Sequence, residues 1–288
     1  MEAPMSEGSN TAHSELAETV WTEALEAYSE ASKAPLERMV KEYSHTYFLT
    51  AGECDPESRL PMPLIVSRLI EVATEHANSW GVGYARLKED GQAWVLSRVS
   101  VEMHSYPHVN EEYTITTWVG SYNRYFSERN FSITDSHGVE IGIAKSVWMV
   151  IDTRQRVMCD ISKLSYISRN VSDRRSTMGA VPRLPQVTEG RCEPYTFGYI
   201  DLDSNRHVNS VSYVKILMNR LRLEHYDAYR MKRLDIAYLK ECYSGVTVNI
   251  HFDDRNPLEV SAEIEADGVA HCRAKMYFEE CDYREEYS

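Results

Sequence analysis

The sequence lacks the short motifs that mark several large enzyme classes. It contains no GxSxG, HExxH, GxxxxGK[ST] or GxGxxG pattern, so serine hydrolases, zinc proteases and nucleotide-binding folds are not indicated. Its six cysteines form no CxxC pair, which argues against a zinc knuckle or a disulfide framework. Reduced thiols in a reducing compartment are the simpler interpretation. The cysteines are Cys54, Cys159, Cys192, Cys242, Cys272 and Cys281.

Long apolar runs are also missing. The longest, such as Met62 to Val66, are far shorter than the roughly 18 to 20 residues that a transmembrane helix needs, so we expect no membrane span. The start of the chain carries Glu2 and Glu7 and has neither a basic region nor an apolar stretch, unlike a secretory signal. We therefore expect a cytoplasmic protein.

Positive charge is scarce, since 31 Lys and Arg face 44 Asp and Glu for a net charge of −13. This balance disfavours nucleic acid and anionic lipid as general partners. Residues 1–38 hold eight of the Glu but only Lys33 and Arg38 as cations, and predict an acidic appendage with a helix at about 14–31. The remaining composition, with 43% hydrophobic residues overall, is typical of a folded protein.

Hydrophobic periodicity predicts an α+β protein in which one plan occurs twice. A strand, a turn-rich loop, one helix and several strands occupy 39–161, a linker follows at 162–190, and the same order repeats over 191–288. The predicted helices are 64–79 and 210–223. The predicted strands are 43–49, 93–104, 112–122, 125–135, 139–152, 195–200, 233–242, 246–253, 258–266 and 270–279.

The two halves indicate an internal duplication. Laid without gaps, they pair Phe48 with Phe197, Leu64 with Tyr213 and Leu69 with Met218. The polar loop 201–209 precedes the second helix, and a capped turn would explain part of its composition. At the same offset, however, Asp203, Asn205 and His207 fall on Cys54, Pro56 and Ser58, so we expect ionisable chemistry in the second copy only.

A carboxylate, an amide and an imidazole at alternating positions can converge on one side of an extended loop. Asp203, Asn205 and His207 are therefore the first candidates for a catalytic site. Glu241, near the end of the predicted strand 233–242, is a second carboxylate and candidate base. Cys242 is the alternative, as the nucleophile of a Cys-His pair.

These residues resemble a known family. Asp201 to Tyr213, which reads DLDSNRHVNSVSY, is similar to the DLDxNxHVNNxxY signature of plant and bacterial acyl-acyl carrier protein thioesterases. Further similar segments are 94–98, 144–152 and 238–242, and the resemblance covers about 41–279. It implies two tandem hotdog domains, each an antiparallel sheet wrapped on one long helix, with the acyl chain in the first half and catalysis in the second.

The resemblance also implies the site. By position, Asp203, Asn205, His207 and Glu241 match the family's catalytic set, and Cys242 matches a cysteine once proposed as its nucleophile. Either Glu241 and His207 activate a water, or Asp203 attacks the thioester, and N–H groups near Asn209 at the helix start are expected to stabilise the oxyanion. No metal or organic cofactor is required.

The implied partner is an acyl carrier protein, which is acidic and would need a local basic surface. An acyl-CoA thioesterase of the same fold and a non-catalytic acyl-binding protein are the alternatives, and a homodimer is left open. Two groups of cations are candidates for the basic surface. They are Arg169, Arg174, Arg175 and Arg183, and Arg220, Arg222, Arg230, Lys232 and Arg233.

Overall fold

A computed structural model describes residues 40–81 and 83–281, and the helix predicted at 14–31 lies outside them. The strands are β1 Glu42–Phe48, β2 Gln92–Met103, β3 Glu112–Tyr122, β4 Ser127–Asp135, β5 Glu140–Asp152, β6 Val157–Met158, β7 Arg191–Thr196, β8 Tyr229–Tyr238, β9 Thr247–Asp253, β10 Glu259–Ala266 and β11 Val269–Glu280. The α-helices are α1 Met62–Ser79, α2 Tyr84–Glu89, α3 Ser165–Arg169, α4 Ser210–Met218 and α5 Leu223–Ala228.

The strands of the described residues form one antiparallel sheet with the order β1-β3-β4-β5-β2-β8-β11-β10-β9-β7, and β6 pairs with β5. Read from the outer edge inward, the first half has the order β1-β3-β4-β5-β2 and the second half has the corresponding order β7-β9-β10-β11-β8. The halves meet where β2 pairs with β8, with Val99 opposite Ile236 and Ser100 opposite Asp235. The sheet topology thus agrees with the duplication that the sequence predicts.

One face of the sheet carries the two main helices. Along α1 the buried residues recur every three or four positions, as in Ile65, Leu69, Val72 and His76, which gives one apolar face. Helix α4 contacts α1, and one buried core includes residues of both halves. None of the described helices combines the length and the apolar character needed to cross a bilayer.

The predicted linker 162–190 crosses the other face of the sheet. Trp118 Nε1 and Arg98 Nη1 of the first half donate hydrogen bonds to carbonyl oxygens of this segment. Farther along, Arg273 Nη1 donates to the carbonyl of Leu184 in the second half. Strand residues alternate between faces, and Val99 beside Arg98 and Cys272 beside Arg273 belong to the helix-side core. The segment therefore covers the sheet where its two halves join.

Three elements end earlier than predicted, at Met218, Thr196 and Tyr238 instead of residues 223, 200 and 242. Helix α4 stops at Met218 because its carbonyl accepts from Leu221 N and Tyr226 Oη rather than continuing the helical pattern. Strand β7 ends at Thr196, and the short 3-10 helix Tyr199–Asp201 follows. Strand β8 ends at Tyr238 because Leu239 N and Lys240 N both donate to the carbonyl of His271, so Glu241 and Cys242 lie in the loop after the strand and not within it.

Candidate active site

The loop between β7 and α4 is folded around the Asp203 carboxylate. Its Oδ1 accepts the backbone N–H groups of Asn205 at 2.8 Å and of His207 at 3.1 Å. The Asp203 N–H donates to the carbonyl of His207, and Arg206 adopts a left-handed φ of 64°. These bonds close a tight turn, so the first role of Asp203 is to hold the backbone of its two neighbours.

His207 faces Glu241 from this turn. His207 forms a β-bridge with Tyr243, and Val208 N donates to the carbonyl of Cys242, which aligns the two loops. His207 Nδ1 lies 3.6 Å from Glu241 Oε1, an ion-pair distance that is too long for a good hydrogen bond. Pairs of catalytic groups often tighten only when substrate binds. The predicted association of these two residues is therefore present in the structure.

Asn205 reaches into a cavity that lies mainly in the first half. Tyr84 Oη donates to Asn205 Oδ1 at 3.4 Å, and the amide group also carries an NH2 that can donate hydrogen bonds. The cavity has a volume of about 220 Å³, and every lining residue except Asn205 belongs to the first half. The lining includes Ile70, Ala73, Ala77, Trp94, Trp148 and Arg129.

A buried cation forms part of the cavity wall. Arg129 is 6% exposed, donates from Nη1 to His76 Nδ1 at 2.8 Å and lies 5.4 Å from the ring centre of Trp80. Burial lowers the pKa of Arg129 to about 9. Burial, and then the charge of Arg129, lowers the pKa of His76 to about 3. His76 is therefore neutral, with Nε2 donating to the carbonyl of Val40 at 2.7 Å.

This pair predicts a pH-dependent stability. Because the pKa of His76 is about 3 in the folded protein and 6.5 ordinarily, protonation favours the unfolded chain. The contribution is fully present above about pH 6.5 and is lost toward pH 3, at up to about 1.4 kcal/mol per pH unit. Urea unfolding at pH 7, 6 and 5 gives the free energy of unfolding at each pH. This free energy should fall less steeply with decreasing pH in His76→Gln than in wild type. The exposed His137→Gln control should keep the wild-type slope, and equal slopes in all three proteins would contradict the assignment.

Cys242 is poorly suited to the nucleophile role that the sequence left open. It is 1% exposed, lies in the core and has a pKa raised chiefly by burial. Nucleophilic cysteines need thiolate character and access. The geometry therefore favours the water-activation alternative.

We expect Cys242→Ala to retain most of the wild-type kcat, because a buried thiol contributes packing and not chemistry. Steady-state hydrolysis of acyl-acyl carrier protein thioesters, the reaction that the sequence resemblance implies, measures this for the purified variant, with circular dichroism to confirm folding. Loss of activity in a folded Cys242→Ala protein, together with protection of wild type from iodoacetamide by substrate, would restore the nucleophile.

The start of α4 does not match the predicted oxyanion role of the N–H groups around Asn209. Asn209 N donates to the carbonyl of Asp201, Ser212 N donates to the carbonyl of Asn209, and Val211 N donates to Asn209 Oδ1 at 2.8 Å. Asn209 is thus the N-cap of α4. The oxyanion prediction is wrong for these three groups because their hydrogens are already bonded.

The equivalent loop of the first half repeats the turn, but with a different register from the predicted one. Asp55 N donates to the carbonyl of Arg59, Arg59 N donates to Asp55 Oδ1 at 2.8 Å, and Ser58 has a φ of 56°. These bonds match those of Asp203, Arg206 and His207 one for one. The counterparts are therefore Asp55, Glu57 and Arg59, so the predicted pairing with Cys54, Pro56 and Ser58 is wrong by one residue.

With this register, the prediction that only the second loop carries ionisable residues is wrong. Both loops carry ionisable groups, and the shared aspartate serves the turn in both. The second loop differs from the first in carrying Asn205 and His207. The partner of His207 is Glu241, and Tyr106 takes the place of Glu241 in the first half. The cavity beside the first loop has a volume of only about 30 Å³ and is lined by Tyr106, Tyr226 and other large side chains.

Four residues that bear on the site were not predicted. Tyr243 Oη donates to Glu241 Oε2 at 3.2 Å, and His271 Nδ1 lies 3.0 Å from the carbonyl of Glu241. Arg156 forms an ion pair with Glu241, and Tyr84 contacts Asn205. Tyr84, Arg156 and His271 lie far from the predicted residues along the chain, so spacing holds no signal for them. Tyr243 lies only two residues after Glu241.

One antiparallel sheet made of two five-stranded halves, with a helix on each half, defines a double hotdog fold, and its second half carries the His207–Glu241 pair. The acyl-ACP thioesterase N-terminal domain matches residues 40–166, and the acyl-ACP thioesterase C-terminal domain matches residues 185–280. The chain belongs to the acyl-ACP thioesterase family.

Individual relatives agree with this membership. The chain is 25% identical over 244 residues to oleoyl-acyl carrier protein thioesterase 2 of Arabidopsis thaliana, which is 77% of this chain and 65% of that protein. Its fold is similar to an acyl-ACP thioesterase from Bacteroides thetaiotaomicron, with a TM-score of 0.78, 31% identity, and coverage of 83% of this chain and 98% of the other.

The 12:0-ACP thioesterase from Umbellularia californica is 18% identical, with a TM-score of 0.74 over 84% of this chain and 98% of that one, and shares the fold. The chain spans less than two thirds of the length of the curated relatives it matches, with 65% and 62% for two Arabidopsis thaliana proteins.

Proposed function

We propose that the chain hydrolyses acyl-acyl carrier protein thioesters to free fatty acid and carrier protein, and so terminates fatty acid synthesis. The observation that carries this proposal is the His207–Glu241 pair. Asn205 lies on the same loop as His207, and its side chain lines a cavity of about 220 Å³. Apolar side chains such as Ile70 and Trp148 line that cavity, which suits an acyl chain.

In the proposed reaction, Glu241 and His207 take a proton from a water as its oxygen adds to the thioester carbonyl carbon. The carbon–sulfur bond then breaks, and the departing thiolate receives the proton. Asn205, whose Oδ1 is engaged by Tyr84, presents its amide nitrogen to the carbonyl oxygen. Asp203 holds the turn that places Asn205 and His207, since its duplicate Asp55 does the same without these partners.

The first half is proposed to hold the acyl chain, because residues of α1, β2, β4 and β5 line the cavity. The partner is proposed to be an acidic carrier protein. Of the two predicted basic groups, the second is the weaker docking surface because four of its five cations pair with carboxylates. These are Arg220, Arg230, Lys232 and Arg233. The cytoplasmic location and a homodimer stay predictions.

Release of free fatty acid from acyl carrier protein thioesters of graded chain length, by wild type and His207→Ala, tests the function. Wild type should release acid and His207→Ala should not. The same chains on coenzyme A distinguish the runner-up: a higher kcat/KM for the coenzyme A esters would make the chain an acyl-CoA thioesterase. Binding of acyl chains by wild type without release would make it a non-catalytic acyl-binding protein.

A further inference from the structure

The turn between β5 and β6 carries a cation into the candidate active site. Arg156 lies in this turn, in the first half, and its Nη2 forms an ion pair with Oε2 of Glu241 in the second half. Tyr243 Oη donates to the same Oε2 at 3.2 Å. The other oxygen, Oε1, is the one that faces His207 Nδ1 at 3.6 Å. The two oxygens of Glu241 thus have separate partners.

The backbone of this turn fixes where Arg156 points. Asp152 Oδ1 accepts Arg154 N at 2.9 Å and Gln155 N at 2.8 Å, and the carbonyl of Asp152 accepts Arg156 N at 2.9 Å. Arg156 has a φ of 60°, a left-handed conformation in which glycine costs least. An arginine in this conformation costs more backbone free energy than a glycine would, which indicates a role for the arginine side chain.

The ion pair contributes little to stability. The Arg156 side chain is 53% exposed and that of Glu241 is 26% exposed, and pairs of this kind add little because water screens them. Its geometric effect is larger. The glutamate side chain has three rotatable bonds, and here one carboxylate oxygen is held by two donors while the other oxygen faces the imidazole.

We propose that Arg156 is a positioning residue of the active site, which orients Glu241 toward His207 across the junction of the two halves. Arg156 acts through Glu241 and touches no reacting atom. The inference rests on the proposed function for its kinetic consequence, but the contact that it describes can be observed without turnover.

The kinetic test compares Arg156→Gln with Arg154→Gln, an exposed arginine of the same turn that serves as a matched control. Arg156→Gln should lower kcat about 10- to 100-fold, the loss expected when a catalytic group is misplaced by about 1 Å, with little change in KM. Arg156→Lys should recover part of kcat. In a Glu241→Gln background, Arg156→Gln should have no further effect. A change confined to KM would assign Arg156 to carrier protein binding and overturn the proposal, as would additive losses in the double variant.

A second measurement separates this proposal from the proposed function. The side-chain nitrogen resonances of His207, recorded by NMR on uniformly labelled protein, should move in Arg156→Gln and stay in place in Arg154→Gln. This holds whether or not acyl carrier protein thioesters are hydrolysed. An inactive wild type with the expected resonance shift would reject the function and keep the positioning role. Unchanged His207 resonances in Arg156→Gln would reject the positioning role.

Discussion

Glu241→Gln is expected to lower kcat by about 10³-fold, within the range that general acid–base catalysis contributes. The amide keeps the size and the hydrogen-bonding oxygen of the carboxylate but has no basic site for the water proton. Because the Glu241 side chain is partly exposed, at 26%, and is not part of the core, the variant should fold as wild type does. Initial rates of fatty acid release under saturating substrate measure the loss.

Asp203→Asn is the matched comparison, since it makes the same isosteric change in the other carboxylate of the site. Its side chain keeps an oxygen that can accept the N–H groups of Asn205 and His207, so the turn should persist and kcat should fall far less than in Glu241→Gln. If the order were reversed, with Asp203→Asn the more severe variant, Asp203 would be the attacking nucleophile and water activation by Glu241 would be wrong.

Ala73→Leu is expected to shorten the acyl chain that the enzyme accepts. Ala73 is 5% exposed on α1 and lines the cavity, so a larger side chain would occupy space proposed for the substrate. Each excluded methylene is worth about 10- to 100-fold in kcat/KM, so the longest chains that wild type uses should lose at least that factor. Competition assays with mixed chain lengths give the ratio directly.

Val72→Ile controls for crowding of the helix, because Val72 is buried next to Ala73 but is not among the cavity-lining residues. It should change the unfolding midpoint without changing the order of preferred chain lengths. An Ala73→Leu protein with the wild-type chain-length profile would place the acyl chain elsewhere than this cavity.

Much of the fold follows from the sequence because the relevant signals are local. The alternation of β3 and the one-sided pattern of α1 each sit within a single element, and both were predicted closely. The residues of the 201–209 loop also indicated the candidate site, and the structure places Glu241 Oε1 3.6 Å from His207 Nδ1. The ends of α4 and β8 depend on distant partners, such as Tyr226 and His271, so no window of sequence contains them.

The register of the duplication shows a different limit. Matching Phe48 with Phe197 pairs like residues, yet Phe48 is 52% exposed while Phe197 is 1% exposed. The true counterpart of Phe197 is Leu49, also 1% exposed, and a slip by one residue moves every side chain of a strand to the opposite face. Burial, which sequence identity does not record, decides the match. Arg156 was not predicted because its sequence context does not distinguish it from other solvated cations in turns. Its partner Glu241 comes from a distant segment of the chain.

The two loops of the duplicated scaffold have consequences for how such a protein can change. Small side chains, Ala73 and Ala77, line the cavity beside the second loop. Large side chains, Tyr106 and Tyr226, line the much smaller cavity beside the first loop. A dimer of identical subunits would have to alter both sites together whenever either changed. In a fused chain, substitutions along α1 can alter substrate selectivity while the loop that bears His207 stays constant. Selectivity and chemistry can thus evolve as separate traits of one polypeptide.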